Sequence, residues 1–308
     1  MSMHFRAIAQ QAAANGEIDA EEVLQLRRAA WPDGVIDPDE ADAILTINDL
    51  VLNKGPEWTD FLIEAVCEYM LRTDEPRGYV SPAKSAWLIA ALDRDGQLDS
   101  MTELELLVRV MEKALGTPDE LKAYALKQIE RAVVFGTGPT RDGGALHAGS
   151  ITETECQLLR RIIFASGGDG PARVSKAEAE MLFRVKDASL GAVNAPEWER
   201  LFVQGVGNAV QGWQAAQGLT RERAAELEAF MNDHTSRVGS FLTRMARFER
   251  PRAAAAARDT FGEAQADGAV SPAEQGWLDG LIGADGETDP LERALLVFLS
   301  ENACKGED

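Results

Sequence analysis

Leu104, Leu107, Val108 and Met111 recur at intervals of three and four, the spacing that lines up one buried stripe on a helix. Phe61, Leu62, Ala65, Val66 and Tyr69 do the same after Pro56-Glu-Trp58, and Leu158, Leu159, Ile162 and Ile163 repeat it later. No stretch sustains the alternation of a half-buried strand. Only isolated apolar residues (Ile18, Ile36, Val80 and Val270) read as extended. The pattern predicts an all-α chain.

A short device precedes most of these helices: Gly, any residue, an aliphatic residue or Thr, then Asp, Ser or Thr, often with Glu three places on. It occurs at Gly16-Glu-Ile-Asp19, Gly34-Val-Ile-Asp37, Gly78-Tyr-Val-Ser81, Gly96-Gln-Leu-Asp99, Gly149-Ser-Ile-Thr152, Gly268-Ala-Val-Ser271 and Gly286-Glu-Thr-Asp289. A version without Gly stands at Arg173-Val-Ser175. Gly78 to Val108 aligns without gaps on Gly268 to Phe298 with 11 identities in 31 positions, and Pro56-Glu-Trp58 matches Pro196-Glu-Trp198. Self-similarity in several blocks of the same order marks a duplication. Two multi-helix modules are expected, 1–136 and 149–308, joined by a Gly-rich linker at 137–148. The second carries an insertion at 214–262; the first has an extra helix near Pro118 to Val134.

The device has a structural explanation. Ser, Thr or Asp at the N-cap accepts from a free N–H of the first turn, and Glu at the third helical position reaches back to the cap N–H. Pro at the first helical position loses no bond, and a preceding Gly turns the chain at positive φ. Equivalence of Trp58 with Trp198 and of Trp87 with Trp277 favours core packing, whereas Trp31 and Trp213 have no such counterparts.

The same acids also fit part of a calcium loop, which needs oxygen ligands at positions 1, 3, 5, 7, 9 and 12 around Gly at 6. With Gly34 at 6, Asp33, Asp37 and Glu40 fall at 5, 9 and 12, but Ala29 and Trp31 occupy 1 and 3. Gly268 gives Asp267 and Glu274, with Glu263 and Gln265 ahead, the best frame. Gly96 brings Asp93, Asp95 and Asp99, with Thr102 at 12 and Glu103 one step out of register; Asp285 and Asp289 flank Gly286.

Ala266-Asp-Gly-Ala-Val-Ser-Pro-Ala-Glu274, followed by Trp277, Leu278, Leu281 and Ile282, resembles the helical repeat of the TerB-like (tellurite-resistance) superfamily, as does Gly283-Ala-Asp-Gly-Glu-Thr-Asp-Pro-Leu-Glu292. The resemblance implies an all-helical, non-enzymatic interaction protein whose acidic motifs bind a divalent cation such as Ca²⁺. The candidate ligands are then Asp267, Glu274, Asp285, Asp289, Asp93, Asp95, Asp99, Asp33, Asp37 and Glu40. The chain departs from the pattern where Arg77, Lys84 and Arg173 replace acids.

A net charge of −20 disfavours nucleic acid. His4, His147 and His234 are scattered, and no phosphate loop or nucleophile motif is present. Cys67, Cys156 and Cys304 read as reduced, buried thiols. With no apolar leader and no run of about 20 apolar residues, a cytoplasmic location is expected. The insertion breaks the acidic average: Arg237, Arg244 and Arg247 accompany Phe241, Met245 and Phe248 along a helical period. That combination suits packing on the acidic body, or docking on a protein partner or an anionic membrane surface. The metal-independent alternative is an adaptor that docks through this segment, and a distant one is an enzyme with an unrecognised carboxylate site.

Overall fold

The computed structural model describes residues 8, 11, 16–30, 35–93, 98, 100–141, 148–165, 174–212, 272–282 and 288–303. The chain is mostly helical. Among the described residues the helices are α1 (Ala20–Ala30), α2 (Pro38–Leu50), α3 (Pro56–Arg72), α4 (Pro82–Leu92), α5 (Met101–Lys113) and α6 (Asp119–Phe135), then α7 (Glu153–Ile163), α8 (Lys176–Ser189), α9 (Glu197–Gly212), α10 (Pro272–Ile282) and α11 (Pro290–Ala303). Among the described residues, β1 (Glu17–Ile18) and β2 (Asn53–Lys54) form one parallel two-stranded pair. Ile18 is thus extended as expected; its partner strand carried no alternation to betray it.

Two long helices organise the packing. α3 lies against α1, α2 and α5, and α9 lies against α7, α8 and α11. Each begins with a buried Trp one turn from a Phe, Trp58 with Phe61 at 5.7 Å and Trp198 with Phe202 at 6.0 Å. α6 packs on α4, α5, α7 and α8, and α5 also meets α7. One continuous set of buried apolar side chains therefore extends from Ile8 to Leu295.

The helix starts follow the cap chemistry. Asp37, Thr152 and Ser175 each form a capping box with Glu40, Glu155 and Glu178. Asp19 with Glu22 and Asp289 with Glu292 exchange the same bonds. α5 departs from expectation: its cap is Ser100, boxed with Glu103, not the Asp99 frame. Ser100-to-Glu103 therefore matches Asp289-to-Glu292, and the ungapped alignment is one residue out in the last helix. Trp87 and Trp277 are half-buried, with indole N–H groups donating to Asp42 Oδ1 on α2 (2.7 Å) and Glu180 Oε1 on α8 (3.1 Å).

The expected linker is also more structured than its composition suggests. Pro139–Arg141 forms a 3₁₀ turn whose Pro139 and Arg141 are buried. Gly149, just beyond, has φ 79°, and its N–H donates to Val133 O at 2.7 Å. A Cβ there would lie 2.8 Å from Ala188 O. Gly149→Ala is expected to cost at least about 1–2 kcal/mol, the penalty of the left-handed conformation. Urea unfolding is the measurement, with Gly191→Ala, whose Cβ meets nothing, as the near-neutral control.

Candidate functional site: buried carboxylates at the helix starts and two surface grooves

The first-turn glutamates of α2, α5, α7, α8, α10 and α11 (Glu40, Glu103, Glu155, Glu178, Glu274 and Glu292) are all buried. A buried carboxylate needs more than the cap N–H to offset its desolvation. In the second half of the chain, lysine and arginine supply the compensation. Arg141 Nη2 donates to Glu155 Oε2 at 2.8 Å, and Thr140 Oγ1 donates to Glu155 Oε1 at 2.7 Å. Lys122 Nζ on α6 lies 2.7 Å from Glu178 Oε1 on α8. Burial still pushes the Glu178 carboxyl above its ordinary range, against the pull of Lys122.

The densest cluster joins α8 to the start of α11. Lys186 Nζ, almost wholly buried, reaches Asp187 Oδ1 at 2.8 Å, Asp289 Oδ2 at 2.5 Å and Glu292 Oε1 at 2.7 Å. Burial opposes its charge, but hydrogen bonds to Asp187, Asp289 and Glu292 prevail and hold the ammonium above the usual lysine range. Asp289 is held below the usual carboxylate range: burial works against ionisation, and Lys186 with the N–H groups of Glu292 and Leu291 outweighs it.

At the start of α5 an amide has this task. Asn48 Nδ2 donates to Glu103 Oε1 at 3.1 Å, and Asn48 Oδ1 accepts from Trp58 Nε1 at 3.1 Å. Lysine donates but cannot accept. Accordingly, the buried indole N–H of Trp198 has no acceptor among the described residues. Lys84 is a different case, standing where α2, α5, α7, α8 and α11 carry Glu. Its Nζ donates to Tyr69 O and Thr73 Oγ1, both at 2.5 Å, with Asp74 at 3.4 Å.

Those candidate ion ligands that are described have other places in this arrangement. Asp37 and Asp289 are caps. Glu40 completes the Asp37 box, Asp93 ends α4, and Glu274 is buried in the first turn of α10. Asp33, Asp95, Asp99, Asp267 and Asp285 lie outside the described residues, as do Arg237, Phe241, Arg244, Met245, Arg247 and Phe248 of the proposed docking segment. Among the described residues no three His, Cys, Asp or Glu side chains converge as a metal ion requires.

The cations missed from sequence were Lys122, Arg141 and Lys186. Lys186 carried a signal, since it follows Leu182 by four and Val185 by one and so interrupts an apolar stripe. Cys67 and Cys156 are free and buried, and burial pushes their thiols up to about 11 and about 12. They are thiols rather than nucleophilic thiolates at neutral pH.

Among the described residues, two surface grooves bear on docking. One, about 630 Å³, lies between α6 and α8 over Ala123, Leu126, Ala177 and Met181, with Lys127 and Arg131 at its edge. The other, about 660 Å³, lies between α9 and α11 over Val203, Ala294, Val297 and Phe298, with Arg200 and Arg293 at its edge. Among the described residues no helix is long and apolar enough to cross a membrane. No family model matches the chain, and no curated protein or solved structure matches it either.

Proposed function

We propose that the chain is a non-enzymatic helical interaction protein, related to the TerB-like superfamily and built from two copies of one helical unit. In this unit α1, α2, α3, α4 and α5 correspond to α7, α8, α9, α10 and α11. Parallel contacts support the correspondence: α3 meets α1, α2 and α5 as α9 meets α7, α8 and α11. Trp87 reaches Asp42 as Trp277 reaches Glu180, and Asn48 reaches Glu103 as Lys186 reaches Glu292. The observation that carries a metal-independent role is the Lys186 cluster, where the protein's own ammonium occupies the place of a cation between Asp289 and Glu292. In this reading the protein works as an adaptor in the cytoplasm, and the Arg-rich segment around Arg237–Phe248 is one of its docking elements.

A calcium-responsive role keeps one foothold. Glu274 is buried at the position where the first unit buries Lys84, 190 residues earlier. An acid in place of an ammonium favours a cation there, with Asp267 and Asp285 as further ligands. Thermal melts of the full chain with Ca²⁺, Mg²⁺, Mn²⁺ or Zn²⁺ test the two readings. An ion at 100 times its Kd stabilises the fold by about 2.7 kcal/mol. The adaptor reading expects no shift at millimolar ion. A rise in Tm that disappears in Glu274→Gln would establish the calcium reading instead.

A further inference from the structure

We propose that the groove between α6 and α8 is a binding site for a small amphipathic monoanion, an alkyl or aryl chain that ends in one carboxylate. The proposal needs only the packing of α6 on α8, so it stands or falls apart from the two-copy reading above.

Residue spacing shapes the groove. On α6, Ala123, Leu126 and Lys127 fall within one turn, and on α8 Ala177 and Met181 are one turn apart; all five line the groove. The two helices run in the same direction here, since Lys122 meets Glu178 and, two turns on, Glu130 meets Arg184. Ala123 and Ala177 are exposed, whereas Leu126 and Met181 are buried and form an apolar floor. Small side chains on both walls leave room above that floor. Phe135, 64% exposed, extends the apolar surface toward the end of α6. The volume of about 630 Å³ falls inside the range of about 300–1,000 Å³ typical of small-molecule sites.

Charge sets the sign of the ligand. The lining carries acids as well as cations, and two pairs are committed to each other. Glu178 pairs with Lys122 at 2.7 Å, and Glu130 accepts from Arg184 Nε and Nη2 at 2.6 and 3.0 Å. The other charges of the lining are Lys127, Arg131 and Asp119. Lys127 and Arg131 are one turn apart on the same face. Asp119 starts α6, about 12 Å along the helix axis from Lys127. The lining therefore has one cation in excess, in a chain whose net charge is −20. One carboxylate matches that excess, and a second would leave a negative charge uncompensated over an apolar floor. The chain of the ligand covers Leu126 and Met181, and its carboxylate lies by Lys127 and Arg131, which supply charge-assisted hydrogen bonds.

Isothermal titration of the full chain with hexanoate, octanoate and decanoate tests this. One saturable site is expected, with Kd falling by up to about fourfold for each added methylene. Octylamine and 1-octanol carry the same chain with a positive charge or none. They should bind about tenfold or more weakly than octanoate, for want of the charge-assisted bond. Ala123→Trp fills the groove and should abolish binding. Lys127→Glu reverses the charge at the carboxylate and should weaken binding by about tenfold or more. Both positions are exposed, so circular dichroism and Tm should match the parent; if Ala123→Trp does not fold, Lys127→Glu decides. Arg77→Glu, an exposed reversal outside the groove, should leave Kd unchanged. No saturable binding to the parent, the result if another segment or a second copy fills the groove, would overturn the proposal. So would octylamine or octanol binding as tightly as octanoate, or full binding by folded Ala123→Trp. Equal losses in Lys127→Glu and Arg77→Glu would also overturn it, since the effect would then be one of net charge.

Discussion

Replacing Lys186 by Met is expected to destabilise the fold by about 3–5 kcal/mol, the cost of leaving buried carboxylates without their counter-charge. Asp289 and Glu292 both converge on this ammonium, and Glu292 is itself buried. Equilibrium unfolding in urea measures the loss, and Lys186→Asn supplies the internal comparison. An amide can donate to Glu292 as Asn48 does to Glu103, and can accept from the indole of Trp198 as Asn48 does from Trp58. Lys186→Asn should therefore lose less than Lys186→Met. Equal losses would mean that the charge, not the hydrogen bonding, is what matters.

The pH dependence follows from the same cluster. The folded value of Lys186 is raised above 10.5, so its contribution is complete below pH 10.5 and is lost as pH rises through the folded value. The folded value of Asp289 is lowered below 3.8, so its contribution is present above that pH and is lost as pH falls through the folded value. Lys186→Met removes the alkaline contribution of this lysine. It also reverses the acid side: buried carboxylates without a cation take up protons more readily when folded than when unfolded. The variant should gain more stability than the parent between neutral and mildly acidic pH.

Arg141→Met is expected to cost a similar 3–5 kcal/mol or so, although Arg141 lies in the Gly-rich stretch between α6 and α7. Its guanidinium holds the buried Glu155 carboxylate at 2.8 Å and the Ser150 carbonyl at 2.5 Å. Without it Glu155 keeps Thr140 and the cap bonds of Thr152 but no opposite charge. The double variant Arg141→Met/Glu155→Gln, with the charge removed on both sides, should recover part of the loss. A change within about 0.5 kcal/mol for the single variant, the range of ordinary surface substitutions, would show that this stretch is only a tether.

Local chemistry made the helices legible. Stripes such as Leu104, Leu107, Val108 and Met111 name both an element and its buried face, because helical period is a property of neighbours in sequence. The caps at Asp37, Thr152 and Asp289 were readable for the same reason: cap and Glu lie within one turn. One residue of slippage at Ser100 escaped because Asp99 and Ser100 are both good caps, and only the helix position chooses between them.

The site was less legible, since its partners are distant in sequence. Lys186 meets Glu292 across 106 residues, Lys122 meets Glu178 across 56, and Arg161 meets Glu105 across 56. No local pattern tells a carboxylate awaiting an ion from one that a lysine of another helix will neutralise. By itself, then, the sequence determined where helices start, which faces they bury and that its motifs repeat, all consequences of short-range capping and periodicity. Only the tertiary structure decided which acids keep a protein cation and which stretch between helices is buried. Burial and ion pairing depend on which chain segments pack together, and that is set by the whole fold rather than by any stretch of it.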